Sequence, residues 1–268
     1  MKPVTVLVVV FSMLFAIIIA PPAEAHFGAI IPSDDIVSQD DSKTVHLQLK
    51  FLHPMEMHYM EMARVKQWGV LHRGKKKDLL ADLKAAKGKS PDQTQAFTYW
   101  IADFTIRRPG DYTFFMEPAP YWEPAEDCYI VHYTKVCVHA LGLEKGWDTP
   151  VGLETEIIPL TRPYGLWTGN LFSGQVLLKG EPVPFAEVEV EYLNESPDNK
   201  TIVEAPADPY ITQVVKADAN GVFSYAMPRA GWWGFAALNE ADRKILYQGV
   251  EKGVEIGAVF WVQTRDMR

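Results

Sequence analysis

The 268-residue chain has only two cysteines, Cys128 and Cys137. Two thiols cannot form a disulfide-stapled mini-domain or a four-cysteine zinc centre. Positive charge is in the minority: 26 Lys and Arg face 34 Asp and Glu, a formal net charge of −8. An acidic chain is a poor match for a phosphate backbone, so no nucleic-acid partner is expected. Beyond the amino-terminal segment, no apolar run approaches the ~18 residues that span a bilayer. Also absent are G-x-S-x-G, the phosphate-binding glycine loop, G-x-G-x-x-G and H-E-x-x-H. Asp218-x-Asn220-Gly221 lacks the other acids of a calcium loop. With no catalytic motif present, the chain is not expected to be an enzyme.

The amino-terminal segment itself is informative. Lys2 precedes an apolar or weakly polar run from Val4 to Ala20, which Pro21-Pro22 breaks before Ala23-Glu24-Ala25. This is the pattern of a secretory signal peptide over residues 1–25. A retained anchor is the rival reading, and the prolines and the small residues at −3 and −1 favour cleavage. Export places the protein in the periplasm. Cleavage after Ala25 leaves His26 first, with a free α-amine beside its own imidazole, a bidentate nitrogen pair for a divalent transition metal. An exported chain can form disulfides, but Tyr129–His139 reads as a single strand. Nine strand residues span ~30 Å, against the ~6 Å between Cα atoms that a disulfide needs, so free thiols are expected.

The remainder reads as mainly β. Thr44–Leu52, Phe97–Ile106, Asp111–Met116 and Tyr129–Ala140 carry strand patterns. One helix is predicted, capped by Asp78, with Leu79, Leu80, Leu83 and Ala86 on its apolar side and Gly88 at its end. In the second half, Val188, Val190 and Tyr192 alternate with Glu187, Glu189 and Glu191, the pattern of a half-buried strand with one wet face. Asp218–Gly221 is a hairpin turn. The expected architecture is two β-sandwich-like domains, 26–163 with the short helix and 164–268. Arg73, Lys75, Lys76, Lys77, Lys84, Lys87 and Lys89 crowd around only Asp78 and Asp82. They read as a solvated surface, with docking on a membrane or an acidic partner as the alternative.

Two segments concentrate metal-binding chemistry. His53-Pro54-Met55-Glu56-Met57-His58-Tyr59-Met60-Glu61-Met62 offers imidazole, thioether and carboxylate together. Imidazole suits nickel, copper or zinc, and thioether favours copper(I). Core filling by the methionines is the competing reading. Pro118-Ala119-Pro120-Tyr121-Trp122-Glu123-Pro124-Ala125-Glu126-Asp127 leads into a strand carrying His132 and His139, whose opposite parity puts at most one of them at a given site.

These segments resemble a bacterial family. The likeness lies in His26-Phe27-Gly28, His53-Pro54, Tyr121-Trp122-Glu123-Pro124, Glu126-Asp127, His132-x-Thr134-Lys135 and Gly146-Trp147-Asp148. It continues in Glu156-Ile157-x-Pro159, Arg162-Pro163-Tyr164-Gly165, Asp218-x-Asn220-Gly221-x-Phe223 and Gly231-Trp232-Trp233-Gly234-Phe235. The family is a domain of unknown function associated with the periplasmic component of ABC-type (energy-coupling-factor) cobalt and nickel uptake. The resemblance implies an exported protein whose second part is a carboxypeptidase-regulatory or transthyretin-like sandwich, with a membrane metal permease as partner. It also implies His26, His53, Glu123, Asp127 and His132 as metal contacts, and His58 joins them from the reading of its own segment. The expected function is capture of Ni2+ or Co2+ and delivery to that permease. The alternatives are a periplasmic copper-binding protein and a carbohydrate- or protein-binding module presenting Trp122, Trp147, Trp232 and Trp233.

Overall fold

A computed structural model describes residues 26–90, 96–195 and 202–267. The expected signal peptide, 1–25, lies outside the described residues. Among the described residues no helix is long and apolar enough to cross a membrane. The fold is mainly β, as the alternation predicts, and its strands form layered sheets.

An eleven-stranded central sheet runs in the order 213–216, 187–192, 231–240, 254–265, 128–140, 110–117, 67–72, 75–78, with three short strands off this path. Its middle is a parallel pair in which Tyr129 aligns with Val254 and Val136 with Trp261. That pair joins strands from both sides of the expected 163/164 boundary into one sheet. Both faces of this sheet are covered. Ile130, Val136 and Val138 pack with Val259 and Trp261 against Phe27, Leu47, Leu49 and Leu52 of the amino-terminal sheet. The alternate residues Cys137, Ala258, Phe260 and Val262 pack against Ile157, Phe172, Val176 and Phe223 of a third sheet. Two-sided burial explains the uninterrupted burial of Ile130–Ala140, which a one-faced strand would not show. Cys128 and Cys137 are free, as the strand geometry requires.

Two sequence expectations are corrected. The predicted helix is only a 3-10 turn, Leu80–Asp82, followed by a strand, Lys84–Lys89, that pairs with Ala96–Thr105. Asp78 does receive a cap-like hydrogen bond, from Leu80 N–H at 2.8 Å, and Leu79 and Leu83 are buried. The partner strand, which local propensity cannot see, decides the conformation. The second correction concerns the glutamate face of Glu187–Tyr192. Val188 and Val190 face the third sheet and Glu187 is exposed, as predicted, but Glu191 at the far end of the same face is buried.

Glu191 belongs to a polar latch between the two halves. Its carboxylate accepts Met55 N–H at 3.0 Å and the Thr212 hydroxyl at 2.5 Å. Asn194 donates its side-chain amide to Met55 O at 2.9 Å, and Glu195 accepts from Lys50 Nζ and the Tyr59 hydroxyl, both at 2.7 Å. The second half therefore fixes the turn that follows His53. Burial pushes the Glu191 carboxyl from 4.5 up to about 8; its two hydrogen bonds lower it and nearby Glu189 and Glu56 raise it. The folded state thus holds a proton that the unfolded state releases near its ordinary value. This contribution to stability is complete below about pH 4.5 and is lost as pH rises through about 8. Glu191→Gln is expected to match the parent in urea denaturation at acidic pH and to exceed it above about pH 8. An identical pH dependence in both proteins contradicts this assignment.

Candidate functional site

The register of the amino-terminal sheet brings three histidines together. Phe27 aligns with Leu52, so His26 falls beside His53, and His53 pairs directly with His58. Residues opposite one another across antiparallel strands share a face. The His26 and His53 rings lie with centroids 4.5 Å apart, and those of His53 and His58 lie 5.3 Å apart. From the central sheet, the short strand Tyr121–Glu123 delivers Glu123, whose Oε2 is 2.9 Å from His26 Nε2. Even-numbered residues of the Cys128–Ala140 strand point toward this sheet, and His132 is one of them. Its ring is 6.1 Å from Phe51, which stacks 5.6 Å from His26. His26, His53, Glu123 and His132, separated by up to 106 positions in sequence, thus border one region between the sheets.

The imidazoles are largely desolvated, at 8, 2 and 1% exposure for His26, His53 and His132. Burial holds the His53 pKa down to about 3, reinforced by His26 and His58. Burial and then His132 lower that of His26, opposed by the Glu123 carboxylate. Both rings are therefore neutral at physiological pH, the form that can donate a lone pair. In neutral His26 the Nε2–H donates to Glu123, which leaves the lone pair on Nδ1, the nitrogen nearer the backbone amine. His132 Nε2 faces Glu255 Oε1 at 3.5 Å, and its Nδ1 has no hydrogen-bond partner among the described residues. Glu255 is a residue that the sequence reading missed. It lies on the same face as His132 because the strands are parallel and in register, and a lone acid in an apolar strand was the available signal. Glu126 adds to the acidic border, with its carboxyl raised by burial and by Glu255 and Glu123. Burial first, then Glu255, Glu126 and Glu187, push Glu189 to about 7.

The remaining expected contributors are placed differently. Asp127 sits in a turn with its carboxylate held by Lys252 Nζ at 2.6 and 2.7 Å. His58 is exposed, although its ring is next to His53. Met55, Met57, Met60 and Met62 are all buried, as core filling predicts. The four tryptophans form no common platform: Trp232 packs on one face of the central sheet, Trp233 and Trp147 on the other, and Trp122 stacks on Tyr247. Among the described residues no group of three His, Cys, Asp or Glu side chains already stands in metal-holding geometry.

The family's motifs run through both faces of this sheet, and a family comparison covers them. The chain belongs to the domain-of-unknown-function family DUF4198. The match spans residues 23–241. No curated protein matches the sequence. Among solved structures, dimeric latent PorU from Porphyromonas gingivalis is similar at 10% identity, with a TM-score of 0.23 over 90% of this chain and 20% of that one. A carbohydrate-binding protein from Bacteroides uniformis, so described provisionally, is similar at 10% identity, with a TM-score of 0.23 over 76% of this chain and 90% of that one. Trypsin-activated alpha-2-macroglobulin from Escherichia coli is similar at 9% identity, with a TM-score of 0.24, 92% of this chain covering 16% of that one. Likeness at this level assigns no function. The chain spans 20, 58 and 16% of the first three structures it matches, the second being the Yersinia pseudotuberculosis adhesin InvE.

The position of His132 depends on Gly257. A Cβ at 257 would lie 2.5 Å from the His132 ring and 2.7 Å from its Nε2. Gly257→Ala is therefore expected to displace the ring at a cost of about 1–3 kcal/mol in urea denaturation, the usual range for overpacking. Gly253→Ala, where nothing lies within 4 Å of the added carbon, serves as the control. Equal stability of the two variants contradicts the tight packing of His132.

Proposed function

We propose that this protein is an exported metal-binding accessory protein that captures Ni2+ or Co2+ and passes it to a membrane uptake system of the ABC (energy-coupling-factor) type. The observation that carries this reading is the convergence of His26 with Glu123 at 2.9 Å and with His53 at 4.5 Å between ring centroids. His26 is the residue that signal-peptide cleavage would make first. Its lone-pair nitrogen and a freed α-amine form a chelate, and a second imidazole and a carboxylate stand beside it. Nitrogen and oxygen donors of this type suit borderline divalent ions. Neutral His26 and His53 need not lose a proton before binding.

In this reading the metal is cargo, held by ligand exchange without bond chemistry. The donors are near one another without a closed cage, so capture involves a shift of the His26 end, and release reverses it. A closed tetrahedral site would hold its ion too firmly for delivery. Glu123 fixes the His26 tautomer as well as offering an oxygen to the ion, and loss of such a carboxylate typically costs about 10–100-fold in affinity.

One observation favours copper as a second reading. A cavity of about 50 Å³ is lined by Met62 and Met116 together with Phe51, Tyr121 and His132. Thioethers favour copper(I) over nickel.

Titration calorimetry of the mature protein with Ni(II), Co(II) and Cu(I), after mass spectrometry has fixed its first residue, tests both readings. Tight nickel or cobalt binding is expected, abolished by His26→Ala and weakened about 10–100-fold by Glu123→Gln. His46→Ala, at an exposed histidine paired with Asp103, leaves it unchanged. Binding of Cu(I) alone, sensitive to Met62 and Met116, replaces nickel with copper. Affinity for none of the three ions removes both readings.

A further inference from the structure

The lysine-rich segment has an organisation that the metal site does not use. Gln67–His72 and Lys75–Asp78 form a hairpin around Arg73 and Gly74, both at positive φ, and Lys75–Asp78 is the outer edge of the central sheet with all four residues exposed. Cross-strand register puts His72 opposite Lys75 and Val70 opposite Lys77, so these four side chains share the face turned toward the amino-terminal sheet. That face borders a concavity of about 300 Å³. Val70, Phe104 and Tyr112 line it, with Arg73, Lys75, Lys77 and Arg108 around them and no carboxylate, while Lys76, opposite Leu71, turns its Nζ to Phe115 on the other face. Lys77 Nζ lies over the Phe104 ring at 5.8 Å, and His72 stacks on Tyr112 at 3.9 Å.

These cations are left uncompensated. Lys66 and Lys87, nearby in the chain, are ion-paired to Glu117 and Glu61. Arg73, Lys75, Lys76, Lys77 and Arg108 have no carboxylate within 4.0 Å among the described residues. The one acid of the hairpin, Asp78, has its carboxylate engaged by Leu80 N–H. Lysines on an exposed edge strand guard against edge-to-edge pairing. That role accounts for Lys75 and Lys77, but not for Arg73 in the turn or for Arg108, which reaches the same concavity from the other side. In a chain of net charge −8, four unpaired cations around one concavity complement an anionic occupant.

We propose that this edge docks on a membrane surface containing anionic phospholipid, with a headgroup phosphate in the concavity and the lysine and arginine stems lying along its apolar lining. Long basic side chains do this readily, with apolar stems buried and charges at the phosphate layer. The acidic remainder of the surface is repelled by the same membrane, which leaves this edge as the contact. Each basic residue near such a surface contributes about fivefold in affinity. The proposal is independent of the metal reading, and its failure leaves that reading untouched.

The test is co-sedimentation of the mature protein with phosphatidylcholine vesicles with and without phosphatidylglycerol, at low salt. Binding only to the anionic vesicles is expected, weakened about fivefold by each of Lys75→Gln, Lys77→Gln and Arg108→Gln. It should be abolished by Lys75→Glu, Lys77→Glu and Arg108→Glu together, which keep charge on the edge strand. Lys216→Glu, on the opposite edge strand, leaves it unchanged. Circular dichroism and thermal melting confirm that each variant is folded. Three results overturn the proposal: no vesicle binding, binding that survives the triple reversal, or release from vesicles by millimolar glycerol phosphate. The last would make the concavity a receptor for a soluble phosphate ester.

Discussion

The structure depends on the central sheet being covered on both faces. A sheet with one wet face can place its polar residues in water without cost. Here the stretches Ile130–Ala140 and Ile256–Val262 are buried without a break, and polar groups in those positions must find partners inside. The chain meets this demand differently on the two sides.

Toward the third sheet the polar groups are well paired. Lys135, 1% exposed, places Nζ 2.6 Å from Glu156, whose carboxylate also accepts the backbone N–H groups of Val151 and Gly152. His139 Nδ1 lies 2.8 Å from Asp111 and its ring stacks on Tyr164. Lys135, Glu156 and Tyr164 fall in the segments that carry the family likeness. Toward the amino-terminal sheet the pairing is looser. His132 has one contact at 3.5 Å and a bare Nδ1, Glu189 and Glu191 carry raised proton affinity, and Glu123, which faces His26, also accepts Ala125 N–H. Neither side is fully paired: Asp111 Oδ2, Thr113 Oγ1 and the Tyr164 hydroxyl lack hydrogen-bond partners among the described residues, as His132 Nδ1 does on the other face, and such incomplete satisfaction costs stability.

How much was legible in the sequence follows from the same geometry. Alternation located the strands because a period of two is a local property. The separation of His132 from His139 was legible for the same reason. Glu123 and His26 were named from motifs, and their contact follows from strand pairing that no local pattern contains. The helix over 78–88 was misread because its leucines satisfy a helical spacing while Ala96–Thr105 supplies a strand partner. Of the glutamates of 187–192, Glu187 is exposed as alternation predicts, and Glu191 is buried because alternation reports two faces without saying what covers each. Glu255 went unseen because its meaning depends on a parallel register with His132.

The latch shows how the two halves can be coupled. His53 is positioned by a strand of the amino-terminal sheet, yet the turn after it is held by Glu191 and Asn194 from the second half. His132 is positioned by the central sheet, against Gly257 of the carboxy-terminal strand. No single layer therefore sets the distance between these imidazoles; it is fixed by how the amino-terminal sheet seats on the central one. The shared core of the two sheets and the latch hold that seating.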